Sequence, residues 1–170
     1  MKTETRTCPV CGSLLRDPPT GAPDVVDAAY YDCFRCGRYG LTWQASQSVD
    51  AWKNQGSPVR KMATFAHALR RMQTGQQKPP MLTTDVVELI ISKSVLPTLQ
   101  EQVDNLVRWL GIETSPAEVK HVSYIEHGAI IGAHSLEGFL YLIHGMIDSG
   151  ILKGSLAGGD KASVNLTFSG

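Results

Sequence analysis

The pattern of apolar and polar residues separates a turn-rich, cysteine-containing start from a longer region with helical periodicity. From Pro58 to Gly75, apolar residues recur at steps of three and four, which predicts an amphipathic helix. Comparable stripes predict further helices that begin near Thr83, Pro97 and Ser135. The pattern therefore predicts a body built mainly from helices.

Shorter segments carry strand-like patterns. Residues 28–32 and 39–43 are predicted strands, whereas the proline-rich segment 17–24 between them and the first cysteines is predicted to be a loop. Val119 to Gly132 alternates and contains β-branched residues, which predicts a strand with a turn at His127. The final apolar segments, 151–154 and 163–168, predict a hairpin. Helices followed by a helix and a hairpin are the order of a winged helix.

Four cysteines form two CxxC turns near the amino terminus. Cys8 and Cys11 form one turn, and Cys33 and Cys36 form the other. Two intervening residues let both sulfurs of a turn reach one ion, and the glycine after each turn permits a positive φ. Two such turns complete a tetrahedral set of thiolates with no open position. The spacing therefore predicts a structural Zn²⁺ in a zinc ribbon.

Two other chemistries fit paired CxxC motifs, namely two redox-active pairs or an iron–sulfur cluster. A redox pair usually begins a helix in a βαβ unit, and Gly12 and Gly37 do not favour that arrangement. The start of the chain lacks a secretion signal, and no run of 18 apolar residues predicts a membrane span. A cytoplasmic location is expected, where such motifs typically bind metal.

The chain has 16 basic and 16 acidic residues, but their distribution is uneven. Residues 41–80 contain six basic side chains and one acidic side chain, a net charge of +5, whereas residues 81–170 have a net charge of −5. This excess indicates either a solvated helix face or a surface that contacts phosphate. The candidate phosphate or nucleic-acid contacts are Lys53, Arg60, Lys61, Arg70 and Arg71. Trp43 and Trp52 either stack on bases or pack in the core.

The predicted last helix does not suit DNA reading, and the histidines do not indicate a catalytic site. The segment from Ser135 to Ser149 contains no arginine or lysine, which is unfavourable for reading bases in a DNA groove. The five histidines stand outside any HExxH motif, and the sequence has no GxSxG, Walker or GxGxxG motif. No catalytic residue is predicted.

The cysteine turns and the carboxy-terminal residues together resemble a known arrangement. The four cysteines, the helix from Ser135 to Gly150 and the closing Leu166-Thr-Phe-Ser-Gly170 resemble the amino-terminal region of certain bacterial multidomain proteins. In those proteins a zinc ribbon and a winged-helix-like region precede a TIR-like or nucleoside deoxyribosyltransferase-like domain suspected of acting in phage defence. The resemblance implies that the chain is a piece of a longer protein and that any enzyme lies beyond residue 170.

These observations predict an α+β, mainly α fold with three parts. Residues 1–44 are the predicted zinc ribbon, 45–57 a linker, and 58–170 a helical, winged-helix-like domain. The predicted function is a noncatalytic recognition or regulatory module that senses a ligand or docks a partner or effector domain. The alternative is a zinc-ribbon protein that binds DNA or RNA. Loss of Cys33 is expected to unfold residues 1–42 and to leave the helices after Pro58 folded.

Overall fold

The computed structural model describes residues 7–56, 58–113, 115 and 118–167. It divides into two compact units, Met1–Val95 and Leu96–Gly170. Helix accounts for 46% of the described residues and strand for 24%. The prediction of a mainly α fold was therefore wrong, because two sheets contribute almost a quarter of the residues and the fold is mixed α/β.

The amino-terminal unit consists of a four-stranded sheet and three helices. In chain order its elements are β1 (Leu15–Gly21), β2 (Ala28–Cys33), β3 (Gly37–Thr42), α1 (Trp43–Lys53), α2 (Pro58–Gln73), β4 (Met81–Leu82) and α3 (Thr84–Lys93). The sheet order is β1-β2-β3-β4, with antiparallel pairs except for β3 and β4, which are parallel. The sheet places the second cysteine turn between β2 and β3.

Strand β1 occupies most of the segment that was predicted to be a loop. Its pairing with β2 shifts register between Leu15 and Asp17 and again between Asp17 and Thr20. Proline cannot donate to a ladder and is tolerated at the edge of a sheet, where β1 lies. Because prolines are typical of loops, the sequence pattern did not predict this irregular edge strand.

The predicted linker 45–57 is mostly helix. Thr42 caps α1 by accepting a hydrogen bond from the amide of Ala45 at 3.3 Å, and Ala45 and Val49 are buried. Helices α1 and α2 belong to the same compact unit as the cysteine-containing sheet. The boundaries of the two units consequently do not coincide with the predicted ones, since residues 58–95 join the amino-terminal unit.

The core of the amino-terminal unit is shared by sheet and helices. Phe65 and Leu69 of α2 are fully buried, as are Tyr39 of β3 and Leu82 of β4. The ring of Trp52 packs against that of Phe65 with centroids 5.7 Å apart. Helix α2 thus supplies the apolar face predicted from its periodicity, and it packs against β3.

The carboxy-terminal unit combines three helices with a three-stranded antiparallel sheet. Its elements are α4 (Leu99–Glu113), β5 (Lys120–Ser123), α5 (Tyr124–Ile131), α6 (Leu136–Asp148), β6 (Leu152–Leu156) and β7 (Lys161–Leu166). The sheet order is β5-β7-β6. The helix from Ser135 and the closing hairpin are confirmed. The last three residues of the Leu166–Gly170 motif lie outside the described residues.

The predicted strand from Val119 to Gly132 was wrong beyond residue 123, where helix α5 begins. Ser123 accepts a hydrogen bond from the amide of Glu126 at 3.3 Å, and Gly132 ends the helix with φ of 90°. A serine followed three residues later by glutamate is a capping-box pattern. The capping signal therefore outweighed the β-branched composition of this short segment.

The carboxy-terminal unit has a contiguous apolar core. Phe139, Ile143 and Met146 of α6 pack with Leu106 and Leu110 of α4, and the sheet adds further buried side chains.

In the described residues no single helix is long and apolar enough to cross a membrane. Helices α5 and α6 together meet the length and composition criteria, with a bend of 77° between them.

Candidate metal centre

The two cysteine turns are built by local hydrogen bonds. In the first, the amide of Gly12 donates to the carbonyl of Cys8 at 2.8 Å. In the second, the amide of Cys36 donates to the sulfur of Cys33 at 3.4 Å. Gly12 and Gly37 have φ of 73° and 76°, a conformation that residues with a Cβ rarely adopt. The predicted role of both glycines is therefore confirmed.

The four cysteine sulfurs converge on one point. All four Sγ atoms lie within 4.8 Å of one another, with Cys8 and Cys36 separated by 3.8 Å and Cys11 and Cys33 by 3.6 Å. A regular tetrahedron with Zn–S bonds of about 2.3 Å has sulfur–sulfur edges of about 3.8 Å. A disulfide would require about 2.0 Å, and all four cysteines are free. The spacing fits four thiolates around a single metal ion.

Burial makes this cluster costly without a cation. Cys8, Cys33 and Cys36 are buried, and Cys11 is partly exposed. Burial raises the pKa of Cys8 and of Cys36, whereas the contact with Cys33 and then those with the other thiols lower the pKa of Cys11. A coordinated divalent cation deprotonates the thiols that bind it. Metal binding would therefore turn a mixed set of thiols and thiolates into four thiolates.

Tyr39 provides a hydrogen bond at the buried side of the centre. Its hydroxyl lies 3.0 Å from Sγ of Cys8, and its ring stacks on Tyr31 with centroids 5.4 Å apart. Burial, followed by the charge of Cys8, raises the pKa of Tyr39. The hydroxyl therefore stays protonated and can donate a hydrogen bond to a thiolate of Cys8.

Helix α2 holds the second cysteine turn from outside the ribbon. Arg70 donates through Nη2 to the carbonyl of Phe34 at 2.7 Å and through Nε to that of Arg35 at 2.8 Å. Gln73 donates to the carbonyl of Cys36 at 2.7 Å and accepts from the amide of Arg38 at 3.1 Å. One turn of α2 thus supplies hydrogen-bond partners for the carbonyls of residues 34–36 and for the amide of Arg38.

Helix α1 makes the corresponding contact with the first cysteine turn. Nζ of Lys53 donates to the carbonyl of Pro9 and lies 3.0 Å from a carboxylate oxygen of Asp50. Both cysteine turns are therefore anchored by long side chains from helices that follow them in the sequence. Sequence reasoning assigned Lys53 and Arg70 to phosphate contacts, because no local pattern shows which backbone carbonyl a distant side chain reaches.

Three of the five basic residues predicted to contact phosphate make hydrogen bonds within the amino-terminal unit. Lys53 and Arg70 hold the cysteine turns, and Lys61 donates to the carbonyl of Trp52 at 3.1 Å and lies over its ring. Arg60 and Arg71 are exposed on α2. Of the two predicted stacking residues, Trp52 is partly buried and packs against Phe65, whereas Trp43 is 64% exposed.

The histidines occupy separate local environments. His67 is buried in α2, and Nδ1 of His121 lies 3.0 Å from the Ser163 hydroxyl. The ring of His127 packs against Trp109 with centroids 4.5 Å apart. In the described part of the chain, the only group of three or more histidine, cysteine or acidic side chains with metal-binding spacing is the cysteine set.

The fold and site together define a protein of two mixed α/β units, the first of which carries four clustered cysteines that could hold a metal ion. No protein-family model, curated protein or solved structure matches the chain. Functional conclusions therefore depend on the residues and their geometry.

Proposed function

We propose that the chain is a noncatalytic zinc-binding recognition or regulatory module that senses a ligand or docks a partner. The observation that carries the proposal is the convergence of four cysteine sulfurs, with edges of 3.6 and 3.8 Å, at one buried point. Tetrahedral sites with four sulfur ligands suit zinc or iron–sulfur centres. Edges this close to those of a tetrahedron around a single ion favour zinc.

A structural role follows from the ligand count. Four protein thiolates fill the tetrahedral positions of zinc, whereas catalytic zinc keeps one position for water or substrate. The cysteine-bearing segments are held in place by hydrogen bonds from Tyr39, Gln73 and Arg70, which favours a structural role for the metal. Zinc would here fix the cysteine turns against the helices, which leaves the surrounding surface as the functional part.

The carboxy-terminal unit supports a docking role in a larger bacterial protein, as the sequence resemblance implies. Its order of helix, strand, two helices and hairpin is compatible with a winged-helix-like arrangement of residues 96–170. Helix α6 contains Glu137 and Asp148 but no arginine or lysine, and it exposes Tyr141 by 70% and Leu136 by 38%. A helix with acidic and exposed apolar side chains and without these cations suits contact with protein better than contact with phosphate. A role in phage defence rests on the resemblance alone.

Metal analysis of the purified chain tests the proposal. We expect about one zinc per chain, and we expect the Co²⁺-substituted protein to show the visible absorption of a tetrahedral thiolate site. Added azide or cyanide should leave that spectrum unchanged, because no coordination position is open. Absence of metal, or a spectrum that changes with azide, would contradict a closed structural site.

The second candidate function is nucleic-acid binding. Exposure of Arg60, Arg71 and Trp43 favours it, since exposed cations contact phosphate and exposed aromatic rings stack on bases. Fluorescence anisotropy with short single-stranded DNA and RNA tests this function. It predicts salt-dependent binding that weakens in an Arg60→Gln/Arg71→Gln double variant, and no binding at low salt would eliminate it.

A further inference from the structure

A cavity of about 310 Å³ lies beside the second cysteine turn. Its walls include Arg16, Arg38, Arg70 and Lys78, with Asp32 as the single acidic residue. Because Arg70 is close enough to Cys33 and Cys36 to interact with their charges, its charge is best assigned to the metal centre. The remaining three cations and one carboxylate still give the cavity a net charge of +2.

The arrangement of this cavity favours an exchangeable anion. The carboxylate of Asp32 lies 3.9 Å from Nε of Arg16 and 3.5 Å from Nε of Arg38. Both distances exceed the 2.7–2.9 Å of a strong charge-assisted hydrogen bond, and pairs this exposed contribute little stability. A phosphate group would offer both guanidinium groups closer, bidentate partners.

The bottom of the cavity is fixed by the metal-binding fold. Arg70 and Gln73 are held by the backbone of residues 34–38, so their side chains form a rigid wall. At Gly37, a Cβ atom would lie 2.1 Å from Oε1 of Gln73 and 2.9 Å from Nη1 of Arg70. Glycine at this position is therefore needed for the wall to pack against the cysteine turn.

A second cavity of about 450 Å³ adjoins the first and differs in chemistry. The two cavities share Asp32, Arg38 and Pro79, and the second adds Tyr30, Tyr31 and the acidic Asp17. Both volumes fall in the range of small-molecule sites, about 300–1,000 Å³. Aromatic and proline walls provide a surface on which a nucleobase can stack. A cationic cavity joined to an aromatic one matches the two ends of a nucleotide.

We propose that these joined cavities bind a nucleotide, with its phosphate between Arg16, Arg38 and Lys78 and its base against Tyr30. The nucleotide is either free or the 5′-phosphorylated end of a nucleic-acid strand, because both present the same phosphate and base. This inference rests on the proposed function, in that it names the ligand that the recognition module senses.

Calorimetric titration of the zinc-loaded chain tests the proposal at low ionic strength. The probes are AMP, adenosine, and a tetranucleotide with or without a 5′-phosphate. We expect saturable binding of AMP, of the phosphorylated tetranucleotide, or of both, and at least tenfold weaker binding of the matching probe without phosphate. Binding of AMP identifies a free nucleotide as a ligand, and binding of the phosphorylated tetranucleotide alone identifies a strand end.

Charge-neutralising variants locate the site. Arg38→Gln and Lys78→Gln should each weaken binding about tenfold, the equivalent of about 1.4 kcal/mol. The side chain of Arg38 is 75% exposed and Lys78 is also exposed, so neither substitution should disturb folding. Arg108→Gln is the matched control, because it removes the same charge from an exposed position of α4 that lines neither cavity, and it should change affinity less than about twofold.

Three results would overturn the nucleotide site. The first is no saturable binding of AMP or of the phosphorylated tetranucleotide. The second is equal affinity for probes with and without phosphate, and the third is equal loss of affinity in Arg108→Gln and Arg38→Gln. Zinc content and the Co²⁺ spectrum are measured on the same samples. An intact closed metal site without nucleotide binding would refute this inference alone, whereas an absent or open site would refute the proposed function.

Discussion

The two compact units of this protein achieve stability in different ways. The carboxy-terminal unit has one contiguous apolar core in which Phe139, Ile143 and Leu106 are fully buried. In the amino-terminal unit β1 is largely exposed, and the cysteine turns are held by hydrogen bonds from Lys53 and from α2. Six of the seven residues of β1 are exposed, so this edge strand buries little apolar surface and needs an additional source of stability. A tetrathiolate metal site can provide it.

The cysteine turns are also joined to the helices that follow them. Arg70 and Gln73 join α2 to the second cysteine turn, and Lys53 joins α1 to the first. Because these hydrogen bonds join α2 to the second cysteine turn, we expect α2 to loosen with the turn when metal is lost, while the later helices stay folded.

The largest effect is expected from Cys33→Ser. This change removes one metal ligand, and zinc binding contributes about 10–16 kcal/mol in small structural sites. We expect loss of zinc and loss of protection from amide hydrogen exchange throughout β2, β3 and the end of α2. Helices α4 and α6 should keep their protection, because their core contains no metal ligand.

Two results would contradict this comparison. Zinc content equal to that of the parent chain would exclude Cys33 as a ligand. Full protection of α2 in the metal-free variant would show that the hydrogen bonds of Arg70 and Gln73 do not couple the helix to the site.

Phe139→Ala should have the next largest effect, in the opposite unit. Phe139 is fully buried, and truncation of a buried phenylalanine costs about 3–5 kcal/mol of unfolding free energy. Denaturant unfolding of the carboxy-terminal unit should shift accordingly, while zinc content stays at the parent value. Zinc loss in this variant would show that the two units do not fold separately.

Arg70→Met should weaken the metal centre through its backbone contacts. The substitution keeps an apolar stem but leaves the carbonyls of Phe34 and Arg35 without this donor, at a cost of about 1–3 kcal/mol. We expect faster zinc transfer to a chelator and a lower unfolding free energy for the amino-terminal unit.

The adjacent Arg71 provides the control for that experiment. It is exposed on the same helix, so Arg71→Met should change the unfolding free energy by no more than about 0.5 kcal/mol. If both variants released zinc at the parent rate, the contact from Arg70 would have no role in retaining the metal.

The smallest effect is expected from Tyr39→Phe. This change keeps the buried ring and removes the hydroxyl that lies 3.0 Å from Sγ of Cys8. A single hydrogen bond contributes about 0.5–1.5 kcal/mol, so zinc affinity from a competition assay should fall about threefold to tenfold. Tyr31→Phe changes the other ring of the same stack and should leave the affinity close to that of the parent.

Several elements were predictable because their signals are local. The CxxC turns with following glycines specified the four ligands, and the three- and four-residue periodicity specified α2, α3 and α6. Ser135 and Gly150 correctly marked the two ends of α6. The Ser123 and Glu126 capping pattern marks the start of α5, whereas the β-branched composition around it indicates a strand.

Other features were not predictable because they depend on pairing across the chain. Strand β1 contains prolines and exposed polar residues, and it is a strand only because β2 supplies its hydrogen bonds. Arg70 and Arg71 are adjacent and chemically identical, yet one contacts the carbonyls of residues 34 and 35 and the other faces solvent. Nothing in the helical pattern distinguishes their roles.

The sequence by itself determined the four candidate metal ligands, the turns that present them and most of the helices, because each depends on residues within a few positions of one another. The tertiary structure alone decided which cations hold the cysteine turns, that Tyr39 lies against Cys8, and that Arg16, Arg38 and Lys78 surround one cavity. These contacts join residues 22 or more positions apart. Their formation depends on how sheet and helices pack, which local spacing does not encode.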